Sequence, residues 1–279
     1  MSARRRLQVH EWIAIDLNTQ QDFCEPGGRH PMANLSQVLP ALRRMMAWVK
    51  WHGIPLVSSM DSHRTTEMSR SGHPICCFDG SNGQRKVRFT MVRRHLRVEF
   101  DNTFAVPIDP FKTHQQLLFR QRTDDLLSNP KAERFLNQAL TREFLLFGNS
   151  LELAVKALAL GLLAQDKKVA IVTDACGVWN RDEADLAIRQ METKGARITT
   201  VAEVTAQRPP LRMAYHRLPL AEAASHGHPN GNGHALPTQP HLLNGNGIHK
   251  TNGRIDARAN AQTNAPMNGH TNGNGQLPH

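Results

Sequence analysis

The stretch of this 279-residue chain in which chemistry is most legible runs from residue 143 to 180. An apolar run, Phe144-Leu145-Leu146-Phe147, passes into Gly148, and the pattern predicts a helix beginning at Ser150. A strand that turns at once into a helix leaves the first N–H groups of that helix, here near Leu151 to Ala154, without intrahelical partners, so they gather where negative charge is favoured. In an open α/β sheet that place lies beyond the carboxyl ends of the strands, where ligands bind. A thiol on this first turn would be held as thiolate and would serve as a nucleophile. Ala154 occupies the position and offers only a methyl group. Ser150 and Ala154 are the expected pocket and oxyanion-facing positions.

A second constellation, Asp61-Ser62-His63, follows a predicted strand. Ligands at i and i+2 past a strand end can face one cavity. A carboxylate with an imidazole suits zinc, iron or manganese. The alternative is an Asp61–His63 hydrogen bond that orders a loop.

Positioning these residues requires alternating strands and helices. Strands are predicted at 11–17, 54–59, 116–119, 144–147, 168–173 and 197–201. Asn34 is placed to cap a helix whose apolar face carries Leu35, Val38, Leu42, Met45, Met46 and Val49. Asn129-Pro130 opens a second helix with proline at its start, and further helices follow at 155–163 and 181–193. The segment between the second strand and residue 113 reads as a long, loop-rich excursion. Right-handed crossovers between such units give a mainly parallel sheet covered on both faces, a three-layer α/β/α sandwich.

Gly148-Asn149-Ser150-Leu151-Glu152-Leu153-Ala154-Val155-Lys156-Ala157 resembles the G-x-x-T-x-x-C-V-x-A turn of the isochorismatase-like cysteine hydrolases, the superfamily that includes nicotinamidases. The resemblance continues through Asp16-Leu17-Asn18-Thr19-Gln20-Gln21-Asp22-Phe23, Asp61-Ser62-His63, Gly80-Ser81-Asn82-Gly83-Gln84-Arg85-Lys86, and Gln121-Arg122-Thr123 with Asn129-Pro130. It implies a hydrolase acting on a small amide or ether, frequently a dimer or tetramer, with an aspartate, a lysine and a cysteine at the reaction centre. The equivalent positions here are Asn18, Gln121 and Ala154. The resemblance also implies a metal-ligating histidine just before the Gly80 loop, to join Asp61 and His63; that place falls on Cys76, whose thiol would tilt the site toward zinc, and the nearest histidine is His73. None of the three reaction-centre positions can exchange a proton near neutral pH, bear positive charge or attack a carbonyl, so the expected chain is a silent relative with a pocket for a small-molecule ligand or for assembly. A hydrolase using a shifted set is the alternative. Asp16 lies two residues before Asn18 on the same side of the strand, and its other reading is a buried carboxylate satisfied by loop N–H groups. Cys176, just past a predicted strand, is either a substitute nucleophile or a small core thiol.

Composition frames these expectations. Residues 1–10 form a basic extension carrying Arg4-Arg5-Arg6, residues 11–210 the domain, and residues 211–279 a tail rich in Gly, Asn, His, Pro and Thr that is too polar to bury a core and is expected to be disordered. The net charge of +10 favours polyanions, yet no nucleic-acid motif accompanies it and aromatic residues for base stacking are few, so nucleic acid is not the expected partner. Four cysteines without a hydrophobic leader, and no apolar run of membrane-spanning length, point to a reducing cytoplasm.

Overall fold

The computed structural model describes residues 9–67, 73–101 and 106–207. The chain divides after residue 222, and the expectations for the tail and for Arg4 to Arg6 fall outside the described residues. Seven strands form one sheet: β1 (His10–Leu17), β2 (Leu56–Asp61), β3 (His95–Val98), β4 (Gln116–Gln121), β5 (Thr141–Asn149), β6 (Val169–Gly177) and β7 (Arg197–Thr199). Their order is β3-β4-β2-β1-β5-β6-β7, and every pairing is parallel. The helices are α1 (Gln21–Cys24), α2 (Leu35–His52), α3 (Pro130–Gln138), α4 (Lys156–Leu163), α5 (Arg181–Thr193) and α6 (Val201–Ala206).

The layering follows from the order. The step from β1 to β2 moves one way along the sheet and the step from β5 to β6 moves the other way, so right-handed crossovers put α2 and α4 on opposite faces. Accordingly α2 packs on α6, and α4 packs on α5. Central strands covered on both sides must be apolar throughout rather than alternating; Ile13, Ala14, Ile15 and Leu17 of β1 and Phe144 to Phe147 of β5 are all buried. The stripe on α2 is the predicted one: Val38, Leu42, Met45, Met46 and Val49 are buried, with Leu35 packed half-buried against the core.

Three local expectations need correction. β3 lies inside the segment read as loop; it is a four-residue edge strand with mixed burial, too short to carry a periodic signal. β6 runs to Gly177, beyond the predicted end, because an irregularity between Leu146 and Gly148 re-registers β5 so that Gly148 pairs with Cys176 and Asn149 with Gly177. Asn34 stands at the N-cap position of α2 without a side-chain cap bond. Its amide instead donates to Cys176 O (3.1 Å) and accepts from Val178 N (3.0 Å), fastening the start of α2 to the end of β6. Asn129 caps as expected, accepting from Lys131 N and Ala132 N.

Candidate functional site

Four adjacent strands, β4, β2, β1 and β5, deliver their carboxyl ends side by side. Gln121 ends β4, Asp61 ends β2, Asn18 follows β1, and Asn149 ends β5. This is where the strand order reverses direction, the place an open α/β sheet offers to ligands. A cavity of about 540 Å³ opens there, and Asn18, Asp61, Asn149, Ser150 and Ala154 all line it.

The floor is a buried hydrogen-bonded row. Gln121 Nε2 donates to Asp61 Oδ1 (2.8 Å) and to Asn18 Oδ1 (3.2 Å). The same Asn18 oxygen accepts from Ser59 Oγ (2.5 Å), while Asn18 N donates to that hydroxyl (3.1 Å). Asn18 has φ of +46°, a left-handed conformation that asparagine tolerates better than most residues. Complete burial pushes the Asp61 carboxyl up to about 7; the Gln121 hydrogen bond and the charges of His63 and Lys86 oppose the rise.

Beyond β5 the backbone must turn sharply. Gly148 has φ of +115°, and a Cβ there would lie 2.2 Å from Leu17 O, so only glycine fits. The Asn149–Ser150 peptide is cis, and the first turn, Leu151–Val155, is a π-helical turn closed by Val155 N on Ser150 O (2.9 Å). Ala154 and Ser150 both line the cavity. Ser150 Oγ is buried and has no hydrogen-bonding partner among the described residues. Glu152 holds the far wall: its Oε1 accepts from Trp179 N (2.6 Å) and Asn180 N (3.1 Å).

That wall is aromatic, which sequence reasoning missed. His30 stacks on Trp179 at 4.3 Å between centroids, His73 lies 4.9 Å from the same indole, and Phe23 meets its edge. The residues come from three segments far apart in sequence, so no local pattern announces them. Burial, followed by the His73 charge, lowers the His30 pKa. At the rim Arg122 pairs with Glu67 (2.7 Å), and Glu67 also accepts from His63 Nδ1 (2.9 Å).

The shifted set does not assemble. Asp16 is fully buried below the floor, paired with Lys86 Nζ (2.8 Å) and bonded to the hydroxyls of Thr19 (2.7 Å) and Ser58 (3.1 Å). It is satisfied by an ammonium and two hydroxyls, not by the loop N–H groups expected, and does not line the cavity. Cys176 sits within β6, fully buried, its Sγ against Val172 O (3.3 Å) and its thiol pushed strongly up by burial. It too is absent from the cavity wall.

The metal candidates Asp61, His63, His73 and Cys76 all line the cavity. Three of them have ligand atoms that are otherwise engaged: Asp61 with Gln121, His63 with Glu67, and His73 Nδ1 with His30 Nε2 (3.3 Å). The Asp61–His63 hydrogen bond considered as the alternative is replaced by the His63–Glu67 contact. Among the described residues, the side chains whose ligand atoms converge are Asp22, Cys76 and Cys77. These contacts take one ligand atom of each side chain of the Asp61–His63 pair, Oδ1 of Asp61 and Nδ1 of His63, and an imidazole bonded to a carboxylate through one nitrogen is the arrangement common among metal-ligating histidines.

The all-parallel seven-strand α/β sandwich matches the fold of isochorismatase-like hydrolases. The chain belongs to that family: the Isochorismatase domain profile matches residues 13–203. Similar solved structures include an isochorismatase-like hydrolase from Alkaliphilus metalliredigens (TM-score 0.55, 14% identity, covering 71% of this chain and 97% of that one). A pyrazinamidase of Pyrococcus horikoshii in complex with zinc (0.52, 19%, 68% and 99%) and the nicotinamidase of Bacillus subtilis (0.53, 14%, 68% and 99%) are similar as well. At these identities the likeness is one of fold. Comparison with curated proteins by sequence gives no match.

Proposed function

We propose that this protein is a catalytically silent member of the isochorismatase family that retains its cavity to bind a small ligand. One observation carries the reading: Asn18 and Gln121 are hydrogen-bonded to each other, and Ala154 opens onto the cavity that Asn18 lines. Acyl transfer needs a nucleophile, a group that moves its proton and a positive or N–H-rich site for the oxyanion. Removing a covalent nucleophile costs about a million-fold in turnover, and loss of the residues that act with it adds little. The burial of Asp16 and Cys176 away from the cavity gives the shifted set no support.

The cavity itself argues for continued binding. It keeps an aromatic wall and a hydrogen-bonding floor, the lining that holds flat, polar molecules. The similar pyrazinamidase and nicotinamidase structures make heteroaromatic amides the first probes. Purified protein incubated with nicotinamide or pyrazinamide is expected to release ammonia no faster than buffer, while calorimetry with the same compounds or their acids records binding. Ammonia release above background that survives stringent purification would refute silence. Self-assembly, implied by the family resemblance, forms part of the proposal and is read by light scattering.

A further inference from the structure

Asp22 is 5% exposed beneath the loop that carries Cys76 to Gly83. Its carboxylate accepts two backbone N–H groups, from Cys77 (2.6 Å) and Arg29 (3.2 Å). The ion pairs of the described residues involve other carboxylates, and the Arg29 guanidinium lies over the Phe78 ring, 4.8 Å from its centroid. A buried carboxylate is ordinarily paired with a cation or coordinates a metal. Here the neighbours are two thiols, Cys76 at 6% exposure and Cys77 at 0%.

The local backbone brings these three groups together. Extended chain sends adjacent side chains to opposite sides, but Cys77 has φ of +56°, which bends the chain there. One oxygen of Asp22 and the sulfurs of Cys76 and Cys77 all lie within 4.8 Å of one another. Gly83 makes room on the other side, since a Cβ would stand 2.1 Å from Asp22 Oδ1. Cys76 also lines the cavity, which gives an ion a way in and a solvent-facing position.

We infer that Asp22, Cys76 and Cys77 form a binding site for a thiophilic d¹⁰ cation of the zinc or cadmium class, with the remaining coordination position facing the cavity. Binding exchanges two S–H bonds for two metal–sulfur bonds, the two protons leave to solvent, and the carboxylate supplies the oxygen ligand. The site draws Cys76 from the ligand set expected around Asp61 and His63 but uses neither of that pair, and it stands whether or not the protein is catalytically silent.

Cadmium is the probe, because its charge-transfer absorption in the ultraviolet reports sulfur ligands and ignores histidine and carboxylate. Reduced, metal-free full-length protein titrated with cadmium chloride is expected to develop this band to saturation at one equivalent, releasing about two protons per ion in weak buffer. Cys76→Ser and Cys77→Ser should each shrink the band and weaken binding by at least about tenfold, and Asp22→Asn should keep the band while weakening binding by about 10- to 100-fold. Asp61→Asn, His63→Ala and Cys176→Ser should leave it intact. Absence of the band in the wild-type protein overturns the proposal, and so does an undiminished band in a Cys77→Ser variant with wild-type near-ultraviolet dichroism. If that variant does not fold, the wild-type band with its proton count decides.

Discussion

At the scale of single residues, the strand ends carry a row of amides interrupted by one acid. Gln121 and Asn18 cannot titrate, so Asp61 alone gives the cavity floor a pH dependence. Its pKa is raised to about 7 by burial, whereas the unfolded chain releases the same proton near pH 4. Between those values the folded state holds more protons, so stability falls as pH rises from about 4 to about 7 and levels off above. Asp61→Asn removes this penalty. Relative to wild type the variant is expected to gain little at pH 4 and progressively more up to pH 8, by as much as about 4 kcal/mol; urea unfolding across that range measures it. A difference that stayed flat with pH would contradict the buried, protonated carboxyl. These residues were legible in sequence because each sits at a fixed offset from a motif. The aromatic wall of His30, His73 and Trp179 was not, because it exists only once three distant loops meet.

At the scale of elements, the ion pair between Lys86 and Asp16 joins a loop to the central strand. Both side chains are fully buried, and Lys86 Nζ also donates to Ser59 O (3.2 Å). Breaking such a pair from one side strands a charge, at a cost of about 3–5 kcal/mol. Lys86→Met is expected to lower the urea midpoint accordingly, whereas combining Lys86→Met with Asp16→Leu recovers much of the loss. Sequence offered Asp16 as a carboxylate with open alternatives, and nothing local to it names a lysine so far along the chain. The strands other than β3 could be recognised from continuous apolar runs or their flanking signals, and α2 from its stripe. β3 carries no such run, being four residues of mixed burial at the sheet edge. Asn34 shows a further limit: its residue type correctly marks the start of α2, but tertiary partners around the end of β6 claim its side chain.

At the scale of the whole molecule, the apolar core draws on residues from Trp12 to Val204, close to the span of the family match. Among the described residues no helix is long and apolar enough to cross a membrane. A chain ending at Gln207 is therefore expected to fold with a melting temperature within about 2–4 °C of the full-length protein, the change that corresponds to about 1 kcal/mol in a domain of this size. A larger fall by scanning calorimetry would assign residues 208–279 a part in holding the domain. The parallel architecture was predictable because alternating elements leave few chain paths open; the identity of the ligand was not, since the cavity is built by loops from several crossovers. Ala154 suggests how to find it. With its methyl group exposed to the hollow at the first turn after β5, Ala154→Cys would create an anchor for disulfide tethering, and a library of thiol-bearing fragments captured there would be ranked by fit alone.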